Sequence, residues 1–406
     1  MHRCGLDCSQ GIPLVAFDPY SEELFVDPFP IYKNLRDNSR DLYLEQYDCF
    51  FLSRFDDVHN ACRNKAFTHA RGTTPMTLLQ GLAPPPRALS SMVPPEHTAL
   101  RASLNPDFMP GAARAIEAEA RDIVRGYLDE LMPRGTFDVN GDFAQRLAVY
   151  LTLLIIGLPT LDADWVASQV KLAFNRAPGV KGPTEAANQA NANLQDYARA
   201  GIAERRRNPR GSGVLERLMS FEFEGRKLPD EELISNIFLL IIGGSETVPK
   251  AFAGAIYQLW RSPDQLAELA ADPELAQDAF WEAVRTDMPT MMLGASAEVD
   301  TEICDGTKVR AGQKIMHLWA SANRDEREFA DPDRFDIHRR APRIVSFNPG
   351  RHICLGIHVA QLEGRVMLQE LLARIPDYEV DESRAVRLRS EMFRGFQCLP
   401  ITFKPH

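Results

Sequence analysis

The chain has 406 residues, 45% hydrophobic, 25% charged and 9% aromatic. That is the balance of a folded globular protein, and it excludes collagen-like, disordered and small disulfide-stapled classes. With 46 Lys and Arg against 56 Asp and Glu, the formal net charge is −10, which disfavours nucleic-acid phosphates as partners.

The N-terminal segment 1–13 lacks the apolar core of a signal peptide. Its Cys4 and Cys8 have no second His/Cys cluster nearby to complete a zinc site. The seven cysteines (Cys4, Cys8, Cys49, Cys62, Cys304, Cys354, Cys398) are odd in number and scattered, so reduced thiols are expected rather than a disulfide framework. Segments 42–44 and 49–52 flank Gln46-Tyr47-Asp48 and predict a β-hairpin. Residues 72–93, rich in Pro, Thr and Gly, predict a long functional loop.

Helices are expected over 112–131, over 143–158 with Gly157 and Pro159 as stops, and over 184–207. Another begins with Asp230 as N-cap and Glu231 and Glu232 in its first turn. Run on to Trp260, it is ~45 Å long at ~1.5 Å per residue. The most apolar runs, 147–158 and 237–242, fall short of the ~20 residues of a membrane span, so a cytoplasmic, unanchored protein is expected. Beyond Pro289, strands are predicted around 294–299, 307–309, 314–318 and 396–403. Val359, Leu362 and Val366 repeat at helical spacing. No repeat or linker divides the chain. The reading is a mainly α fold with small β-sheets (α+β), one domain over 1–406.

The segment Ser346-Phe347-Asn348-Pro349-Gly350-Arg351-His352-Ile353-Cys354-Leu355-Gly356 carries the chemistry. A cysteine at a helix start faces unpaired N–H groups that favour thiolate. Gly350 and Gly356 leave room for a flat group to approach the backbone, and Phe347 can pack beneath it. The spacing F-x-x-G-x-H-x-C-x-G resembles the heme-binding loop of the cytochrome P450 superfamily. The resemblance covers about residues 28–400. It implies the P450 fold, with the long central helix over the heme. It implies heme b as cofactor, Cys354 as axial ligand to iron, His352 on a propionate and Phe347 shielding the sulfur.

Three further motifs fit that resemblance. Gly243-Gly244-Ser245-Glu246-Thr247-Val248-Pro249 puts three helix breakers in one helix, each costly unless the helix must open beside a ligand. In the family, Gly243 lies against the heme, Glu246 relays protons and Thr247 holds dioxygen and its water. Glu282 and Arg285 form E-x-x-R, neighbours on one helix face, with Arg334 expected to complete a buried triad. Pro94-Pro95-Glu96-His97-Thr98-Ala99-Leu100-Arg101 places His97 and Arg101 on one face, two cations suited to two propionates. One departure stands out. The family's propionate arginine after E-x-x-R has no counterpart in segment 291–297, leaving open what replaces it near Ala295.

The resemblance implies a bacterial-type monooxygenase. It inserts one oxygen atom from O2 into a small hydrophobic substrate. A separate ferredoxin and ferredoxin reductase supply electrons, since the chain has no room for a fused reductase. The protein is expected to be a monomer without nucleic-acid or membrane partners, and to carry a basic patch on the Cys354 side. Pocket candidates are 73–82, 174–180, 242–247, 291–293 and Met392 with Phe393. Arg176 and Arg394 are read as solvent-facing or structural. Alternatives are a peroxide-driven heme-thiolate enzyme and a heme sensor or carrier without turnover.

Overall fold

The computed structural model describes residues 17–174, 176–177 and 180–404. Cys4, Cys8 and part of the 174–180 pocket segment lie outside the described residues.

The long helix is Asp230–Trp260, 31 residues that run through the core. It packs on the helices Gln145–Ile156, Ala276–Thr286 and Ile357–Arg374. Its stretch 251–256 is apolar on every side, as an enclosed helix must be. Asp230 is the first helical residue rather than the cap. Pro229 provides the extended entry, and the Asp230 carboxylate is drawn to the Arg206 guanidinium at 2.9 Å.

The helix Gln145–Ile156 follows a π-helical turn, Val139–Ala144, and ends at Gly157, whose φ of 91° only glycine adopts readily. By length and composition both Val139–Ile156 and Asp230–Trp260 are long enough to cross a membrane, longer than the apolar runs suggest. Each has 67% of its most apolar window buried inside the fold.

A five-stranded sheet stands beside this bundle, in the order Asp41–Leu44, Cys49–Leu52, Lys314–Leu318, Met292–Ala297, Phe67–Thr68. Only the pairing of Cys49–Leu52 with Lys314–Leu318 is parallel. The register matters for the site. His317 lies opposite Leu293, and Thr68 lies opposite Ser296.

The expected helix over 112–131 is two helices, Pro110–Ala115 and Glu117–Leu131, broken at Ile116. The expected strand over 396–403 is likewise two, Phe396–Cys398 and Pro400–Thr402, in different sheets. The loop 72–93 contains one short helix, Pro75–Leu78, capped by the Thr74 hydroxyl. The strand Thr136–Asp138 has too little sequence of its own to announce itself; it exists by pairing with Pro400–Thr402.

Candidate active site

The cysteine loop is built by local hydrogen bonds. Asn348 adopts a left-handed conformation at φ 57°, and its side-chain oxygen accepts from the Gly350 N–H at 2.9 Å. Asparagine tolerates that conformation because its short polar side chain can close such a turn. The Cys354 N–H then donates to the Phe347 carbonyl at 2.8 Å. Gly350 serves the loop rather than an approaching flat group: a Cβ there would run into the Cys62 carbonyl. Gly356 is the opposite case, with nothing within 4 Å of where its Cβ would be. Phe347 stacks on Trp281, ring centroids 5.1 Å apart.

The helix after the loop begins at Ile357, three residues beyond Cys354. Its dipole is therefore more distant than the sequence suggests. Burial pushes the Cys354 thiol above its ordinary value, against the pull of the Gly356 N–H and the Arg101 guanidinium. Cys354 and Arg101 share a cavity of about 260 Å3 with Phe108, Met109, Ile353 and Leu355.

The long helix faces open space at Gly243, where a Cβ would again meet nothing within 4 Å. Gly244 does different work, since a Cβ there would collide with the Thr152 hydroxyl. The Thr247 hydroxyl is half-buried and donates to the Gly243 carbonyl at 3.3 Å. Glu246 is fully internal and bonds to Lys250 at 2.6 Å, one turn on, with its second oxygen unpartnered. Burial raises the Glu246 carboxyl above the usual range, and Lys250 pulls it back. Adjacent in sequence, Glu246 and Thr247 thus differ in environment. Lys250 lies at i+4 from Glu246, the spacing at which opposite charges on a helix meet.

His97 and His352 meet with ring centroids 4.2 Å apart, and His69 covers the other side of His352 at 4.1 Å. His317 joins from the sheet. Burial, reinforced by neighbouring rings and arginines, pushes all four below the ordinary imidazole value: His69 and His97 to about 4, His317 to about 3, His352 to about 2. Nδ1 of His69 and Nε2 of His97 and His317 are buried without partners. His69 and His317 carry no local sequence signal.

Glu282 holds Arg285 through two bonds of 2.8 and 2.7 Å. The second cation on Glu282 is Arg339 at 2.9 Å, not Arg334. The chain turns at 331–334 so that Arg334 presents its carbonyl, not its guanidinium, to Arg285.

The pocket segments converge. Gly294 N–H donates to the Thr73 carbonyl and Met291 N–H to the Met392 carbonyl, both at 2.8 Å. Phe174 meets Phe393 edge-on at 4.8 Å. Arg176 is not solvent-facing. It is buried and paired with Glu391 at 3.2 Å. Arg394, also buried, lies over the Phe29 ring and 3.7 Å from Asp287.

Open space at Gly243 and Gly356, a cavity lined by a sulfur and the Arg101 guanidinium, and unpartnered ring nitrogens beside it fit a flat cofactor bearing two carboxylates. Heme b is such a group.

Residues 181–396 match the family model described as Cytochrome P450. The chain is 33% identical to cytochrome P450 123 of Mycobacterium tuberculosis over 402 residues, covering 97% of this chain and 98% of that protein. CYP109E1 of Bacillus megaterium, solved with testosterone, superposes with a TM-score of 0.83 at 26% identity, covering 94% of this chain and 99% of that one. P450BioI, solved with an acyl carrier protein ligated to hexadec-9Z-enoic acid, gives 0.81 at 25% identity, covering 94% and 100%. The chain therefore belongs to the cytochrome P450 family, and is a heme-thiolate monooxygenase whose cofactor is heme b.

Proposed function

We propose that the chain forms one domain over 1–406 in which Cys354 ligates the heme iron and His97, Arg101 and His352 receive the propionates. Gly243 and Gly356 leave the space above and below the ring, and Phe347 shields the sulfur side. The observation that carries this reading is the sharing of one cavity by Cys354 and Arg101, with the Gly356 N–H directed at the sulfur.

When bound, the heme supplies activation of dioxygen and insertion of one oxygen atom, and a thiolate ligand favours O–O cleavage. The protein's part is positioning and proton supply. Thr247 Oγ1 holds a proton at the open face beside Gly243. Glu246 Oε2 is the next proton-bearing atom inward, unpartnered and shielded from solvent. Burial lets the Glu246 carboxyl keep its proton to higher pH than an exposed one, so it can supply a proton inward. This relay supports the O2-dependent reaction over the peroxide-driven one.

The substrate is a small hydrophobic molecule. The converging segments 73–82, 291–293 and 392–393 offer Met and Phe with few polar groups, and methionine adapts to irregular apolar shapes. A ferredoxin with its reductase supplies electrons to a monomeric, cytoplasmic enzyme. Support comes from the Cys354 side: Arg63, Lys65, Arg114 and Arg351 are exposed there without acidic partners among the described residues. Ile353 and Met109, 41% and 50% exposed, add an apolar contact.

The reduced protein with carbon monoxide is expected to show the long-wavelength Soret band of thiolate-ligated heme. Cys354→Ala should lose it. A wild-type protein that takes up no heme, or a variant that keeps the band, overturns the assignment. Thr247→Ala should keep the band while oxygen consumption runs ahead of product.

A further inference from the structure

We infer that His69 and His317 form an anion site on the sheet side of the histidine cluster, and that together they hold one heme propionate where no arginine is available. The inference rests on the heme assignment above.

The argument begins with register. Leu293 and Ala295 point to one face of the strand Met292–Ala297, because side chains alternate along a strand. His317 sits directly opposite Leu293 on one neighbouring strand. On the other neighbour Thr68 sits opposite Ser296, so the next residue, His69, falls beside Ala295. His317 within one strand and His69 just past the end of another therefore flank a position reduced to a methyl group.

Space and donors coincide there. A cavity of about 110 Å3 is lined by His69, Ala295, His317, Arg351 and His352, with Cys62 and Asn64 behind them. His317 is 2% exposed and its Nε2 has no partner; Nδ1 of His69 has none either. Buried polar nitrogens without partners are costly unless a ligand satisfies them. One carboxylate also lines the cavity, that of Glu298, and it is exposed to solvent. Arg351 spends one nitrogen on the Lys65 and Phe67 carbonyls at 3.3 Å, so its charge lies beside the cavity. Each ring already bonds a backbone group, Ser90 for His69 and Leu293 for His317, so its free nitrogen donates into the void once the ring carries a second proton, a state that a carboxylate there favours; with a guanidinium behind them, such donors select a carboxylate.

The test is heme transfer from the purified holoenzyme to excess apomyoglobin. His69→Leu and His317→Leu should each speed release about tenfold, since a hydrogen bond to a charged group is worth at least that factor. The double variant should release faster still, and adding Ala295→Arg to it should restore most of the retention. The still-loaded fraction should keep the thiolate carbon-monoxide band. Release at the wild-type rate from the double variant, with that band intact, overturns the propionate role alone. Absence of the band from wild-type protein overturns the heme assignment instead. If the leucine variants do not fold, His69→Asn with His317→Gln keeps polar groups of similar reach. Intermediate release then supports the site, and wild-type release refutes it.

Discussion

Two buried polar clusters lie within this fold and differ in one respect. Around Glu282 every strong group is matched. Its two oxygens accept from Arg285, Arg339 and the Asp336 N–H, while Arg285 also donates to the Asn323 and Pro332 carbonyls at 2.7 and 2.9 Å. Around His352 three ring nitrogens are buried with nothing to bind. A closed network can only hold the chain together, whereas an open one is completed by something from outside. The closed cluster also supports the open one. Asn323, whose carbonyl receives Arg285, holds Ser346 and the Val345 N–H at the entrance to the cysteine loop.

The sharpest test of this contrast removes one member from each cluster. Arg285→Met leaves Glu282 buried with half its partners gone. Breaking such a pair costs about 3–5 kcal/mol, so the variant is expected to fold poorly or to unfold at much lower urea. His317→Leu deletes Nε2, which has no partner, together with the ring's bond to the Leu293 backbone. With hemin in excess its stability should fall by only about 2 kcal/mol, about 1.4 of it from tenfold weaker heme binding and the rest from the lost backbone bond. Equal losses from the two substitutions would erase the distinction.

Lys250 and Glu246 stand between these extremes, paired through one carboxylate oxygen and open at the other. Lys250→Met removes the pull that opposes burial, so the Glu246 carboxyl rises further. Its proton is then held to higher pH. The pH at which coupling of oxygen uptake to product begins to change should move upward, and several-fold more oxygen should be consumed per product at pH 7. A coupling profile identical to wild type would assign the pair to packing alone.

The difference between the clusters also explains what could be read in the sequence. Glu282 with Arg285, Glu246 with Thr247, and Phe347 with Cys354 are near neighbours along the chain, so spacing alone exposes them. The hairpin 41–52 and the long helix were legible for the same reason: alternation and helical periodicity are local. His69 and His317 are 248 positions apart, brought together by strand register, and neither sits in a motif. Arg339 took the place expected for Arg334 because the direction of a turn, not proximity in sequence, decides which side chain arrives. Arg176 could be read as solvent-facing or structural, and its pairing with Glu391, 215 positions away, is what makes it structural.

The smallest effect belongs to two glutamates in the helix Ile357–Arg374, one open and one closed. Glu363 is buried with no cation and an unpartnered oxygen, and burial alone pushes its carboxyl well above 4.5. Glu370, two turns on, is opposed by burial yet held below 4.5 by Arg125 and Arg121. The signs are therefore opposite. The stability tied to Glu363 is complete below pH 4.5 and is lost as pH rises toward its folded value, at up to about 1.4 kcal/mol per pH unit. Glu363→Gln should gain on wild type across that window in urea unfolding followed as a function of pH. The stability tied to Glu370 is complete above 4.5 and is lost as pH falls through its lower folded value. Glu370→Gln should therefore cost most at neutral pH and least in acid. Parallel pH profiles for the two variants would mean that the presence or absence of a partner does not govern these carboxyls. The contrast between closed and open clusters would then fail within a single helix.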